Sequence, residues 1–183
     1  MKKIAIAVSG ASGSIYAQRL IDKLAMFQDV QLAVVFSQQA PDVWNHELGT
    51  YPQLKGKAEV FDLHNYQAPF ASGSSTYQAL VVCPCSMGTL GRIAQGISDN
   101  LISRAADVML KERRKLICVV RETPFNLIHL DNMKKLSEAG GIICPASPSF
   151  YSKPDTIEAL VDTVVDRVIQ LLGISMGTYR WNE

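Results

Sequence analysis

Residues 79–90 read ALVVCPCSMGTL, an apolar run followed at once by small and hydroxyl-bearing residues. The run Ala79 to Cys83 predicts a strand covered on both faces, because apolar and polar side chains do not alternate along it. A second apolar run, Leu116 to Val120, ends in Arg121-Glu122-Thr123-Pro124. Ligands of open parallel α/β sheets bind at the carboxyl ends of the strands. The sequence therefore predicts a binding site where these two strands end.

Further strands and helices alternate along the chain. Strands are predicted at Ile4 to Val8, Gln31 to Phe36, 58–61 and Ile142 to Cys144. Helices are predicted after Gly13, over 39–48 and 98–113, from a cap at Thr123-Pro124, and from a capping box formed by Asp155 and Glu158. Such alternation implies right-handed crossovers and helices on both faces of the sheet. The expected fold is a three-layer α/β/α doubly wound domain, Rossmann-like or flavodoxin-like, with a mostly parallel sheet.

Composition limits the function classes. With 183 residues, 48% of them hydrophobic, the chain is predicted to form one domain over 1–183, with a short tail from about 174. A formal net charge of +1 gives no basis for a nucleic-acid surface. No apolar run approaches the roughly 20 residues that span a bilayer, so membrane insertion is not expected. The apolar run after Met1 is too short for a secretory signal, which favours a cytoplasmic protein.

Cysteine and histidine spacing does not suggest a metal site. None of the four cysteines, Cys83, Cys85, Cys118 and Cys144, forms a C-x-x-C pair. All four lie in or just after predicted buried strands, where cysteine usually packs as a small hydrophobic residue. The three histidines are scattered. No bound metal is expected.

The predicted strand ends carry hydroxyls and one arginine, namely Ser12, Ser37, Ser86, Thr89, Arg121 and the neighbouring Glu122. Hydroxyls and helix-start amides bind phosphate well, so the set favours a phosphorylated ligand. The turn Gly10 to Gly13 lacks the G-x-G-x-x-G spacing of dinucleotide sites, and Ser37 stands where such sites carry an acidic residue. Arg104 and Lys111, seven residues apart on one helix, either serve an anion or are solvated surface charges. The Gly- and Ser-rich segment 66–75 is predicted to be a loop, either over the ligand edge or an ordinary connection.

Several longer motifs closely resemble the UbiX flavin prenyltransferase family. The resemblance covers nearly the whole chain in order and rests on Gly10-Ala11-Ser12-Gly13, Cys83 to Leu90, Ile97 to Leu101, Arg104 to Val108, Lys111 to Arg114, Arg121 to Pro124 and Phe150-Tyr151. It implies a homo-oligomer, expected to be a dodecamer, that transfers a dimethylallyl group from dimethylallyl monophosphate to N5 and C6 of reduced FMN. The product, prenylated FMN, then serves a UbiD-type decarboxylase, in ubiquinone biosynthesis among other settings.

The resemblance also implies roles for individual residues. FMN contacts fall on Gly10, Ala11, Ser12, Ser37, Ser86, Met87, Gly88, Thr89 and Arg121. Substrate-phosphate contacts fall on Arg104, Lys111, Tyr151 and Arg167, with Lys111 or Tyr151 serving a neighbouring subunit. Catalytic roles fall on Glu122, Glu47, Ser12, Tyr66 and Lys111, with Tyr66 standing where the family often has tryptophan.

These residue types suit the chemistry. Breaking an allylic carbon–oxygen bond creates a carbocation and a phosphate dianion, so cations are needed on the phosphate and a dry, electron-rich surface near the carbocation. Arg104, Lys111 and Arg167 supply the cations without a metal, and Tyr66 supplies an aromatic face worth about 1 to 2 kcal/mol. Glu122 suits the proton released when C6 is alkylated.

Two other interpretations remain open from the sequence. One is an FMN-dependent decarboxylase of the homo-oligomeric cysteine-decarboxylase group, which is expected to carry a catalytic histidine on an early helix and a P-x-S-x-N-type loop. The corresponding loop here, Pro84 to Thr89, lacks the asparagine. The other is a non-catalytic flavin carrier, which would not need the phosphate-seeking cations.

Overall fold

A six-stranded parallel sheet organises the chain in the computed structural model, which describes residues 1–177. The strands are β1 (Lys2–Val8), β2 (Val30–Phe36), β3 (Glu59–Phe61), β4 (Ala79–Cys85), β5 (Lys115–Val120) and β6 (Ile142–Pro145). Their order across the sheet is β3-β2-β1-β4-β5-β6, and every neighbouring pair is parallel. This is the strand order of the Rossmann-like doubly wound fold, whose strand order reverses between β1 and β4. The predicted fold class is confirmed.

Six α-helices flank the sheet within residues 1–177, with bounds α1 (Ser14–Ala25), α2 (Ala40–Leu48), α3 (Met87–Ala94), α4 (Leu101–Lys111), α5 (Leu127–Glu138) and α6 (Ile157–Leu171). On one face, α1, α2 and α6 pack on alternate residues of the strands, among them Ile4, Ile6 and Val81. On the other face, α3, α4 and the segment around Phe70 pack on the intervening residues, such as Ala5 and Val82. The uninterrupted apolar strands are therefore explained by burial on both faces.

The register between β4 and β5 places the ends of both strands at one level. Val82 is paired with Cys118, but Cys85 is paired with Val120, so β4 carries one extra residue at the end that contains Pro84. Proline lacks the N–H that a regular ladder would use, which accounts for an irregularity at this point. After it, the Arg121 N–H donates to the Cys85 carbonyl over 3.2 Å. The two polar segments that follow these strands thus leave the sheet side by side.

Several boundaries differ from the sequence prediction. The helix predicted over 98–113 is shorter, since Asn100 caps it and exchanges hydrogen bonds with Ser103. Thr123-Pro124 does not begin α5; Asn126 caps that helix. The 66–75 segment is not wholly irregular, because it contains a 3-10 helix, Pro69–Ala71. The predicted tail begins at 174, and its last residues, 178–183, lie outside the described range.

The predicted capping box of α6 is also wrong. The N-cap is Thr156, whose Oγ1 accepts a hydrogen bond from the Ala159 N–H over 3.1 Å. The register of the cap is one residue later than the Asp155 pattern suggested, so Glu158 falls within the first turn without pairing back to a cap. Its carboxylate still complements the positive end of the helix.

Two absences hold for residues 1–177. None of their helices has the length and hydropathy needed to cross a membrane. No group of three or more His, Cys, Asp or Glu side chains among them lies close enough together to hold a metal ion.

Substituting Thr156→Ala is expected to lower the free energy of unfolding by about 1 kcal/mol, because an N-cap acceptor is lost from a helix whose other face lies in the core. Asp155→Ala, one residue earlier, is the matched control and should change it by less than about 0.5 kcal/mol. Urea denaturation of both variants measures the difference. A larger loss for Asp155→Ala would restore the capping-box assignment.

Candidate active site

A cavity of about 410 Å³ opens at the carboxyl edge of the sheet, beside the ends of β1 and β4. This volume lies within the 300–1,000 Å³ typical of small-molecule sites. Five of the predicted FMN contacts line it together: Gly10, Ser37, Ser86, Gly88 and Thr89. The site is at the point where the strand order reverses, which is where ligands bind in this fold.

Ser37 presents an unsatisfied polar group in this cavity. Its backbone N–H donates to the Val8 carbonyl over 2.8 Å, which holds the end of β2 against the end of β1. Its side-chain Oγ is buried and has no hydrogen-bond partner among residues 1–177. A buried hydroxyl without a partner is costly, so a ligand that hydrogen-bonds here would gain affinity from it.

The first turn of α3 offers an anion site. Ser86 Oγ caps the helix, accepting from the Thr89 N–H over 3.3 Å and donating to Thr89 Oγ1 over 3.1 Å. The N–H groups of Met87 and Gly88 make no hydrogen bond within the described part of the chain. Free N–H groups and the positive end of the helix dipole attract phosphate. The loop thus provides what the predicted phosphorylated ligand requires.

Ser9 holds this loop in place and was missed by the sequence reasoning. Its side chain is buried, donates to the Pro84 carbonyl over 2.7 Å and accepts from the Ser86 N–H over 2.8 Å. One hydroxyl therefore links the end of β1 to the start of the α3 loop. The available signal was a hydroxyl residue directly before the Gly10 to Gly13 turn.

Glu47 reaches across from α2 to the start of α1. Its carboxylate accepts from the Gly13 N–H over 3.0 Å and from the Ser14 N–H over 2.7 Å. Burial would raise the pKa of Glu47, but hydrogen bonds from the Ser12 hydroxyl and from these backbone groups outweigh burial and hold it below its ordinary value of 4.5. Glu47 and Ser12, both predicted to be catalytic, thus lie together at the carboxyl edge of the sheet. We call this edge, with the loops that follow the strands there, the rim.

Gly13 is required where it stands. It adopts φ +109°, a left-handed conformation, and an added Cβ would lie 3.0 Å from the Tyr16 ring. The same Cβ position lies 3.9 Å from Arg121 Cγ, so the predicted FMN-binding arginine lies beside the α1 turn. Glu122, next in sequence, is exposed and accepts a hydrogen bond from the following N–H, that of Thr123, over 2.9 Å.

The predicted phosphate-binding cations are not all at this rim. Arg104 donates to the Ala71 carbonyl over 3.1 Å and lies 3.4 Å from Asp107. Lys111 is two turns further, about 10 Å along α4, and pairs with Glu112 near the beginning of β5. The start of β5 belongs to the amino edge of the sheet. Within one subunit, Lys111 therefore lies at the opposite edge of the sheet from the cavity.

The remaining predicted residues lie outside the cavity lining. Tyr66 and Tyr151 are exposed, with 47% and 71% of their surface accessible. Arg167, on α6, lines a second cavity of about 420 Å³ together with Ser147, Ser149 and Cys144. Arg167 is exposed and its guanidinium lies 3.4 Å from the Gln170 side chain.

Sequence reasoning also missed the seven other polar residues that line the 410 Å³ cavity: Gln38, Gln39, His64, Arg92, Asp99, Asn100 and Ser103. For Arg92 the available signal was its spacing, four residues after Gly88, which places both on one face of α3. His64 lies three residues after the end of β3, which the sequence had located correctly, so the carboxyl-edge rule could have indicated it.

The buried cysteines do not supply a nucleophile. Burial raises the pKa of Cys83, and a hydrogen bond to Cys118 together with burial raises that of Cys85. Both thiols therefore stay protonated at neutral pH, and a thiol is a poor nucleophile.

Replacing Glu47→Gln is expected to lower the free energy of unfolding by about 1 kcal/mol at pH 7. Because the pKa of Glu47 is lowered in the folded state, its contribution is complete above pH 4.5 and disappears as the pH falls through the folded-state pKa. The difference between wild type and variant should therefore narrow below pH 4.5, as measured by denaturation at several pH values. The control Glu138→Gln, on the exposed face of α5, should show no such change; a constant Glu47→Gln deficit at every pH would contradict the assignment.

Removing the Ser9 hydroxyl by Ser9→Ala is expected to cost about 1 to 3 kcal/mol, because the Ser86 N–H loses its acceptor and the Pro84 carbonyl keeps only the Ser9 N–H, 3.3 Å away. The exposed Ser137→Ala serves as control, with an expected change below about 0.5 kcal/mol. Equal unfolding midpoints for the two variants in urea would show that Ser9 does not hold the loop.

Comparison with known proteins agrees with this geometry. The chain is 44% identical over 199 aligned positions to a flavin prenyltransferase UbiX of Pseudomonas aeruginosa, covering 100% of this chain and 95% of that protein. It superposes with a TM-score of 0.93 on a crystal structure of AnUbiX in complex with FMN and dimethylallyl pyrophosphate, at 38% identity over 100% of this chain and 98% of that one. A dodecameric FMN-dependent UbiX-like decarboxylase from Escherichia coli O157:H7 gives a TM-score of 0.94 at 34% identity, over 99% and 100% of the two chains.

The family model described as Flavoprotein matches residues 1–169, which include every strand, the cavity and most of α6. Full-length identity above 40% to curated flavin prenyltransferases narrows the assignment further. The chain therefore belongs to the flavoprotein family and, within it, to the UbiX flavin prenyltransferases.

Proposed function

We propose that this protein transfers the dimethylallyl group of dimethylallyl monophosphate to N5 and C6 of reduced FMN, forming prenylated FMN. The observation that carries the proposal is the cavity at the strand-order reversal, which Ser37 and the first turn of α3 line together. Its relatives of similar length are flavin prenyltransferases, and one similar structure holds FMN with a dimethylallyl pyrophosphate.

The residues present fit a flavin mononucleotide. Ser37, Ser86 and Thr89 offer hydroxyls, and Met87 and Gly88 offer backbone N–H groups. Gly10 also lines the cavity, and Ala11, Ser12 and Arg121 complete the proposed contacts. When bound and reduced, FMN would supply the nucleophilic nitrogen and carbon of the reaction.

Cations hold the departing phosphate in this proposal. Arg104 and Arg167 neutralise its charge as the carbon–oxygen bond breaks, which stabilises the transition state. Lys111 lies at the opposite end of α4 from the rim, so it would serve the site of a neighbouring subunit, as would the exposed Tyr151. A shared site requires a homo-oligomer.

An exposed apolar surface supports assembly. Phe125, Leu127, Ile128 and Leu130, in and before the first turn of α5, are between 41% and 70% accessible. Contiguous apolar residues of this kind usually mark an interface. A similar structure is dodecameric, and a dodecamer is the assembly we propose here.

The carboxylates and the aromatic side chain carry the remaining steps. Glu122 is exposed at the rim and accepts the proton released from C6. Glu47 holds the Ser12 hydroxyl, which relays protons near N5. Tyr66 offers its ring face to the carbocation once a neighbouring chain covers it.

Beyond the reaction, we propose that one domain over residues 1–183 performs it in the cytoplasm, and that a UbiD-type decarboxylase receives the prenylated FMN. The product is useful only as a cofactor, because a modified flavin released by its own synthase must act in another protein. No nucleic acid enters this scheme.

Anaerobic incubation of the protein with reduced FMN and dimethylallyl monophosphate is expected to raise the flavin mass by one dimethylallyl unit, as measured by mass spectrometry. Arg104→Met, Lys111→Met and Arg167→Met should each lower the initial rate about 100-fold, because one charge on the departing phosphate is lost, while FMN stays bound.

The exposed Lys134→Met, on α5, is the matched charge-removing control and should retain the wild-type rate. An unchanged flavin mass with the wild-type protein would reject prenyl transfer. Release of carbon dioxide from a peptidyl cysteine would instead favour the decarboxylase, and FMN binding without either reaction would favour a carrier.

A further inference from the structure

We propose that Arg92 binds the phosphate of FMN and makes the cavity select the phosphorylated flavin over riboflavin. The inference deepens the proposed function and rests on its flavin-binding part alone. It assigns Arg92 a ligand contact that the motifs of the sequence did not indicate.

The position of Arg92 is fixed by helix geometry. It lies four residues after Gly88 on α3, so both occupy one face, and side chains on a helix lean toward its amino end. One guanidinium nitrogen accordingly lies 3.3 Å from the Gly88 carbonyl and donates to it. The guanidinium is therefore beside the first turn of α3, and Arg92 lines the cavity with Ser86 and Thr89.

Asp99 sets the orientation of the guanidinium. Its Oδ2 accepts from Arg92 Nε over 3.2 Å, while its Oδ1 accepts from Asn100 Nδ2 over 3.0 Å and from Ser103 Oγ over 3.2 Å. These donors anchor the carboxylate to the start of α4, so the arginine is held at two points. Within residues 1–177 the second terminal nitrogen of Arg92 makes no hydrogen bond.

Phosphate would complete this arrangement. The free N–H groups of the Arg92 guanidinium lie beside the first N–H groups of α3. A guanidinium can donate two parallel, charge-assisted hydrogen bonds to a pair of phosphate oxygens. Asp99 is the one carboxylate in the cavity lining and already accepts three hydrogen bonds, which lowers its repulsion toward an incoming anion. The simpler alternative is an exposed ion pair of little energetic consequence.

Comparing FMN with riboflavin distinguishes a phosphate contact from an exposed ion pair, because riboflavin is FMN without the phosphate. Apoprotein is titrated with FMN and with riboflavin, and the quenching of flavin fluorescence gives each Kd. Arg92→Met is expected to weaken FMN binding about tenfold, the value of one partly exposed charge-assisted contact, and to change riboflavin binding less than about twofold. Arg92→Lys, which keeps the charge without the fork, should lose less FMN affinity than Arg92→Met.

Arg113→Met is the matched control, because Arg113 is an exposed arginine just after the end of α4 that is far from the cavity. This variant should bind both flavins with the wild-type Kd. Thermal unfolding of the apoproteins verifies that Arg92→Met is folded, and raising the salt concentration should weaken FMN binding less in Arg92→Met than in wild type. Equal losses for the two flavins, or no loss for either, would overturn the proposal. Because no prenyl donor is present, a protein that fails to prenylate FMN still yields the binding ratio, and the two proposals fail separately.

Discussion

The hydroxyl of Ser9 is the contact on which the rim depends. It connects the end of β1 to the Pro84 carbonyl and the Ser86 N–H, at a place where β4 has lost its regular ladder with β5. Without that hydroxyl the Ser86 N–H would lack a partner, and the single Ser9 N–H bond to the Pro84 carbonyl would be left to fix the distance between the α3 loop and the Gly10 turn. A ligand that touches both loops needs that distance to be constant, because a binding site gains affinity from being formed in advance.

Two helices, α1 and α3, begin at this rim, and the N–H groups at their positive ends differ in their hydrogen-bond partners. The end of α1 is occupied by the Glu47 carboxylate, which accepts from the Gly13 and Ser14 N–H groups. The end of α3 is capped only at Thr89, so the first N–H groups remain open toward the cavity. An anion is therefore attracted to α3 and not to α1, because an internal carboxylate already satisfies α1. Glu47 in this way contributes both to stability and to the choice of phosphate position.

The long axis of α4 divides the cationic residues between the two edges of the sheet. Arg104 is held near the 3-10 helix by the Ala71 carbonyl, whereas Lys111 lies with Glu112 beside the segment that enters β5. About 10 Å of helix separates their backbone positions, and these different partners hold the two side chains apart in the subunit. The proposed assembly through the apolar start of α5 would provide a physical means of combining side chains from different copies.

The sequence by itself determined the fold class and the five predicted FMN contacts that line the cavity. Uninterrupted apolar strands followed by Ser37, Ser86 and Thr89 were sufficient, because parallel strands bring their carboxyl ends to one edge whatever the details of packing. Helix starts were less certain: Asn126 and Thr156 replaced the predicted caps, since several neighbouring residues could cap and only the local backbone selects one. The tertiary structure alone decided that Ser9 and Arg92 belong to the site and that Lys111 faces the other edge. Those relations join residues from distant parts of the chain or depend on side-chain direction, and no local pattern encodes them.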